Sequence, residues 1–474
     1  MNRRAFLKSA AATAACAVAS RHLTVAAPTP ASDSAPIRPN ILLIMTDQQH
    51  AGMMSCTGNR LVKTPALDAL ALGGIRFDRA YCTNPICVPS RMSMATGMMP
   101  GRLGVTDNRS GTSLASLPEG VADRSMGKLM KQAGYETFYG GKVHMCRDLA
   151  PLNTGYDQFE RNDREDLPAR CLEFVGKKRS APFFAVASFI NPHDICYFHG
   201  VRDGKDDKRA PGLAELFRKA ASLADGELPP LPANFAVPED EPTELPIKSD
   251  PDAPTPAGLM RQTYSERDWR MYRWVYARLT ELVDEQIGRL LKGLRDAGLD
   301  ERTLVIFTSD HGDMDASHRL ASKRFFYEES VRVPLILRWP GVIPAGRVDA
   351  KHLVSTGLDL LPTLCDAAGV KAPAGLLGSS LRLLAEGRED RGRRNFVVSE
   401  SAGGRMIRTL RYKYCVYAAG RNREWLVDLE QDPGELRNRA SDPAAATVLR
   451  EHRALLKAWI EESADTLGAP YIVQ

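Results

Sequence analysis

The chain has 474 residues, 43% of them apolar and 26% charged, enough to build one large domain and one smaller one and too hydrophobic to be disordered throughout. Its net charge of +5 is set largely at the N-terminus, where Arg3, Arg4, Lys8 and Arg21 meet no acid before Pro28. The remainder is close to neutral, which gives no support to a nucleic-acid or membrane-surface role. The cysteines are dispersed without a C-x-x-C pair, arguing against zinc and, in a chain this long, against a disulfide framework.

Asn2-Arg3-Arg4-Ala5-Phe6-Leu7-Lys8, followed by a small-residue apolar run over 9–19, reads as a twin-arginine export signal occupying residues 1–27. It is too short and alanine-rich for a permanent membrane span. Ala17-Val18-Ala19 and Val25-Ala26-Ala27 both offer cleavage sites, while the residues before Cys16 lack the leucine of a lipobox. The expected destination is periplasmic or secreted, through the twin-arginine export machinery.

Residues 40–46 form a continuous apolar run, a buried strand whose C-terminal end carries Asp47 and Gln48. Open α/β sheets place their ligands at such ends. Cys87-Val88-Pro89-Ser90-Arg91 then enters a helix-compatible stretch closed by Gly97. Taken alone, Cys87 reads as an ordinary buried thiol. A helix starting there would also hold an anion at its N-terminus. A strand over 136–139 leads to Gly141-Lys142-Val143-His144, and another over 183–190 leads to Asn191-Pro192-His193-Asp194. By themselves such lysines and histidines are more often solvated or structural than catalytic.

Over 200–258 the composition turns charged and then dense in proline, so regular structure is not expected in its second half. A loop this long inside a domain usually serves function or moves. It is read as an ordered excursion near the mouth of a site, with plain surface linker as the alternative. Tyr272, Tyr276, Leu279, Val283, Ile287, Leu290 and Leu294 recur at helical spacing over 270–294, a helix packed on the sheet. It delivers the chain to a strand over 303–308, ending in Asp310-His311-Gly312-Asp313, and a further strand follows at 334–337. An aspartate at a strand end is commonly a cap. The charged, glycine-rich 387–394 separates a main domain, 36–386, from a small C-terminal subdomain, 395–474, read as three strands (395–399, 405–410, 412–418) and a helix (445–463).

The C-x-P-S-R pentapeptide at Cys87, with Thr96-Gly97 behind it, resembles the signature of the type I, formylglycine-dependent sulfatases of the alkaline phosphatase superfamily. Gly141-Lys142-Val143-His144 resembles that family's G-K-x-H, and Pro192-His193 its P-H motif. The stretch from Ser322-Lys323-Arg324-Phe325-Phe326-Tyr327-Glu328-Glu329 through Pro340-Gly341 is the longest match, although Asp315-Ala316-Ser317-His318 before it departs from the common L-G-E-H. Ser355-Thr356-Gly357-Leu358-Asp359, Arg411-Tyr412-Lys413-Tyr414 and Asp432-Pro433-Gly434-Glu435 extend the likeness over about residues 39–459.

The resemblance implies an alkaline-phosphatase-like α/β/α sandwich with a large mixed sheet, plus a small C-terminal antiparallel sheet and helix. It implies that a maturation enzyme oxidises Cys87 to formylglycine, whose hydrate attacks sulfur and then expels sulfate by C–O cleavage. Asp47, Gln48, Cys87, Asp310 and His311 would hold one divalent metal, with Gln48 standing where many members have aspartate and His311 where many have asparagine. Calcium is the family expectation, and an imidazole ligand keeps magnesium or manganese open. Lys142 and Lys323 would bind sulfate oxygens, and Arg91 would hold the modified side chain. His144 would take the proton released on elimination, and His193 would protonate the leaving alcohol. The implied function is an exported hydrolase of sulfate monoesters, sulfated carbohydrates above all. Phosphonate or phosphate ester hydrolysis and non-catalytic capture of sulfated glycans are the alternatives.

Overall fold

The computed structural model describes residues 38–205, 207–247 and 256–473. The export-signal segment lies outside them. Fourteen strands occur among the described residues: β1 Asn40–Asp47, β2 Ile75–Phe77, β3 Ala80–Tyr81, β4 Glu136–Gly141, β5 Gln158–Glu160, β6 Phe183–Pro192, β7 Thr303–Ser309, β8 Leu335–Arg338, β9 Arg347–Asp349, β10 Val354–Ser355, β11 Phe396–Glu400, β12 Gly404–Thr409, β13 Tyr412–Tyr417 and β14 Glu424–Asp428.

Eight of them make the main sheet in the order β5-β4-β6-β1-β7-β8-β2-β9. β5 through β7 run parallel, while β8 is antiparallel to both of its neighbours, so the sheet is mixed as expected. The apolar run of β1 is explained by burial on both faces. Side chains alternate across a strand, so Ile41, Leu43 and Met45 join one core with Phe184, Val186, Leu304 and Ile306. Leu42 and Ile44 join the opposite core with Ala185, Ala187, Val305 and Phe307.

The helix Glu266–Asp296 covers the second face through Val283, Ile287, Leu290 and Leu294, all fully buried. Each such side chain is worth about 1.5–3 kcal/mol when removed from water. The helix starts four residues earlier than its apolar stripe because Ser265 and Asp268 form a capping box. The other face is covered by Thr356–Ala367 and Met126–Gln132.

The proline-rich excursion is partly regular. Its first half holds the helix Leu213–Ser222, and Pro256 opens the helix Pro256–Thr263, a position where a missing N–H costs nothing. Between them, residues 223–247 contain turns alone among the described residues. The C-terminal sheet has four antiparallel strands, β11 to β14, rather than three; Glu424–Asp428 is the addition. The helix Ala446–Glu462 packs on it through Leu449, Leu456, Trp459 and Ile460, and that core also takes in Met99 and Leu358. Among the described residues no helix is long and apolar enough to cross a membrane.

Candidate active site

β1 and β7 are parallel neighbours, with Thr46 paired to Ser309, so Asp47 and Asp310 emerge side by side at the C-terminal edge of the sheet. Asp310 is oriented by its own surroundings: its Oδ1 accepts from the Gln48 and His311 backbone N–H groups at 3.1 and 2.9 Å. Gly312 lets this turn lie against the next segment, since a Cβ there would sit 1.9 Å from the Glu329 carbonyl. Cys87 is the first residue of the helix Cys87–Thr96, whose N-terminus points at the same spot, and Ser90 Oγ ties that helix to the Asp310 carbonyl at 2.6 Å.

Four buried groups converge there. Cys87 Sγ lies 3.2 Å from His311 Nε2 and 3.8 Å from Asp47 Oδ1, and one ligand atom from each of Asp47, Cys87, Asp310 and His311 falls within 4.8 Å of all the others. His311 Nδ1 donates to the Gly312 carbonyl at 2.9 Å, which turns Nε2 toward the cluster. Two carboxylates, an imidazole nitrogen and the residue-87 side chain form a donor set that suits a divalent cation.

Positive charge surrounds this set. Arg91 reaches Asp310 Oδ2 through Nε at 2.7 Å and Asp47 Oδ2 through Nη2 at 3.0 Å, while Nη1 donates to the Lys142 carbonyl and Ser188 Oγ. Lys142 Nζ meets Asp47 Oδ2 at 2.5 Å, and Lys323 Nζ lies 3.1 Å from Cys87 Sγ. Gly141 makes the approach of Lys142 possible: at φ 93° its missing Cβ would stand 2.0 Å from the Ser188 carbonyl. Burial by itself would raise Asp47, but Lys142, His193, Lys323 and Arg91 outweigh it and hold the carboxyl well below its ordinary range. Asp310 is raised, by burial and by the Asp47 charge. The Cys87 thiol is lowered well below its usual value, because Lys142, Lys323 and His311 overcome burial and Asp47.

Gln48 reaches the same place with its amide committed. Oε1 accepts from Lys323 Nζ at 2.8 Å and from the Cys196 thiol at 3.0 Å, and Nε2 donates to Asp313 Oδ2 at 2.7 Å. His193 follows β6 directly, and the next residue, Asp194, is clamped by Arg164 at 2.6 and 3.0 Å. Burial and the two lysines oppose protonation of His193, but Cys196 and Asp47 prevail and carry it up to about 9. His144 stands two residues past Lys142 in a left-handed conformation, its Nδ1 buried without a partner among the described residues.

Four further contributors are given no role at the site by the sequence. Cys196, a lone cysteine, is lowered to about 7: burial opposes ionisation, and Lys323 and His193 overcome it. Asp313 is pushed up to about 6, chiefly by burial, while accepting from Tyr272 Oη at 2.9 Å. Tyr272 and Tyr276 sit in the stripe that reads as plain core, yet Tyr276 Oη donates to the Gln48 carbonyl at 2.6 Å. Among outer residues, Asn108 Oδ1 caps the Val88 N–H at 2.9 Å, and Arg202 and His199 are engaged by Asp268 and Asp203; Arg102 and Arg109 are exposed.

A family model described as Sulfatase matches residues 39–370, and one described as N-sulphoglucosamine sulphohydrolase, C-terminal, matches residues 316–462. The Delta 4,5-hexuronate-2-O-sulfatase of Bacteroides thetaiotaomicron is 33% identical over 458 residues, covering 90% of this chain and 90% of that protein. A solved 2-O GAG sulfatase superposes with a TM-score of 0.77 at 31% identity, covering 90% of this chain and 93% of that one. The phosphonate monoester hydrolase of Agrobacterium radiobacter shares the fold, with a TM-score of 0.68 at 24% identity over 90% of this chain and 96% of its own.

Proposed function

The chain belongs to the sulfatase family and is a sulfuric ester hydrolase, and from that premise we propose that it removes sulfate from a sulfated carbohydrate, a hexuronate-containing glycan fragment in particular. The similarity to a hexuronate 2-O-sulfatase along nine-tenths of both chains supports that substrate class. The single observation that carries the site assignment is Cys87, fully buried at a helix N-terminus between two lysines and the Asp47–Asp310–His311 set.

In this reading Cys87 works as formylglycine, supplying a hydrated-aldehyde oxygen as nucleophile in place of sulfur. Asp47, Asp310, His311 and residue 87 would hold a divalent cation, calcium by resemblance, which when bound would supply Lewis acidity toward that hydroxyl and offset the charge of the sulfate oxygens. Lys142 and Lys323 bind the sulfate oxygens from positions already fixed by an ion pair to Asp47 and a hydrogen bond to Gln48 respectively, so little reorganisation accompanies the reaction. Arg91 keeps the two aspartates and residue 87 in register. His193, protonated through neutral pH, donates to the departing sugar oxygen, and His144 accepts the proton lost as sulfate leaves. Residues 1–27 act as a twin-arginine signal, and the chain divides functionally into 36–386 and 395–474.

The test is turnover of a 2-O-sulfated unsaturated hexuronate disaccharide beside a phosphonate monoester. The expected result is sulfate release with labelled water oxygen in the sulfate. Faster turnover of the phosphonate, or label in the sugar hydroxyl, would contradict the assignment.

A further inference from the structure

A cleft of about 80 Å³ lies between the segment before Cys87, the excursion at Glu244 and Pro246, and the turn from β11 to β12. None of the steps above uses it. Two of its lining residues are chain neighbours of the reaction centre: Ile86 precedes Cys87, and Arg324 follows Lys323. Lys323 turns inward to Cys87, whereas Arg324 turns outward and is exposed. Arg324 is held with φ at 86°, a conformation unfavourable for a residue with a side chain, and its backbone N–H is fastened to the Pro85 carbonyl at 3.0 Å. Its guanidinium makes no hydrogen bond or ion pair with any described residue.

Asn84 lines the same cleft and is fully buried. Its Nδ2 donates to the Thr106 carbonyl at 3.2 Å, which turns Oδ1 away, and Oδ1 has no partner among the described residues. Of the two acids at the rim, Asp107 is engaged, whereas the Glu244 carboxylate has no hydrogen bond or ion pair among the described residues. Asp107 caps the helix Asn108–Thr112 by accepting from the Ser110 N–H at 2.7 Å, and the Glu244 side chain lies over Gly420. Among the described residues that line it, the cleft presents the unpaired Arg324 guanidinium, the unpaired Glu244 carboxylate and the buried Asn84 Oδ1; the guanidinium suits an anionic group, and the two acceptors suit the hydroxyls of a sugar.

We propose that this cleft is a subsite for a second anionic group of the substrate, with Arg324 taking a carboxylate or a further sulfate and Asn84 Oδ1 accepting from a sugar hydroxyl. The inference rests on the carbohydrate reading above. On a hexuronate ring, carbons 2 and 5 lie across the ring from one another, so a 2-O-sulfate directed at residue 87 sends the carboxylate the opposite way, toward the mouth. A guanidinium pairs with a carboxylate through two parallel hydrogen bonds.

The experiment compares wild type, Arg324→Ala and Arg324→Lys on three esters: the 2-O-sulfated unsaturated hexuronate disaccharide, its carboxyl methyl ester, and the methyl ester bearing a second sulfate on the neighbouring sugar. In wild type, kcat/KM for the free acid exceeds that for the methyl ester by roughly tenfold or more, Arg324→Ala abolishes that ratio, and Arg324→Lys restores part of it. Restoration of kcat/KM by the second sulfate identifies sulfate as the recognised group. A ratio that persists in Arg324→Ala overturns the proposal, as does a uniform loss on all three esters. Calorimetric binding of the desulfated disaccharide decides the case independently of turnover. Weaker binding to Arg324→Ala supports the subsite even if no ester is cleaved and the substrate reading fails, whereas equal binding overturns it.

Discussion

His193 is the side chain whose chemistry is most directly open to measurement. Its folded pKa is raised to about 9, so the protonated form is present below that value and is lost as pH rises through it. Activity on a sugar sulfate should therefore fall on an alkaline limb near 9. His193→Gln should remove that limb and lower kcat for an alkyl or sugar sulfate by about 10²–10⁴-fold. The loss should be far smaller for nitrophenyl sulfate, whose leaving group needs no proton. Equal losses on both esters would assign His193 a positioning role. Gln48 illustrates a different kind of residue: its amide has a defined orientation because Lys323 needs an acceptor and Asp313 a donor on opposite sides of it.

At the level of elements, the segment carrying Lys323 is anchored from the C-terminal sheet. Lys413 of β13 is fully buried, donates to the Phe326 carbonyl at 2.8 Å, and pairs with Glu328 at 3.1 Å and Glu435 at 2.6 Å. Glu435 Oε2 in turn accepts from the Glu328 N–H at 2.7 Å. The Y-K-Y and D-P-G-E motifs, silent in the sequence, thus meet the F-Y-E-E stretch in one network. Lys413→Met leaves the buried Glu435 without its cation, while Glu328 keeps Arg332 and Arg408, and should cost about 3–5 kcal/mol, read from denaturant unfolding; a loss under 1 kcal/mol would show that the network is dispensable.

A second element-scale prediction concerns Asp284 in the helix Glu266–Asp296, whose carboxylate accepts from the Ala66 and Leu67 N–H groups at 3.0 and 2.9 Å. Burial lifts it to about 6. The native state then binds the proton more tightly than the unfolded chain, so this group's contribution to stability declines as pH rises from about 4 to about 6. Asp284→Asn should flatten the unfolding free energy against pH in that window relative to wild type. An unchanged slope would contradict the shift.

Elements with a continuous pattern were legible in the sequence. β1, β6 and β7 are buried runs, and the proposed metal pair, both lysines and both histidines sit in contiguous motifs at strand or helix ends. β2, β3, β5, β9 and β10 were not legible, because two or three residues carry no period. Tyr272 and Tyr276 share a helical stripe with true core residues, and only tertiary contact separates the tyrosine hydroxyls that brace the site from side chains that merely pack. Cys196 enters the site through the turn after His193, a placement no spacing rule anticipates.

Across the whole molecule, the reaction centre draws on segments from Asp47 to Lys323, and the C-terminal sheet steadies it from behind. The near-neutral charge beyond Pro28 leaves attraction for an acidic glycan to local groups, the buried lysines and the outward Arg324. Everything in this arrangement converges on residue 87, and its covalent state is the decisive observable. Peptide mass spectrometry across Cys87, on active protein purified from its own host, should find the aldehyde or its hydrate in a fraction that tracks specific activity. An unmodified thiol throughout a fully active preparation would contradict the account.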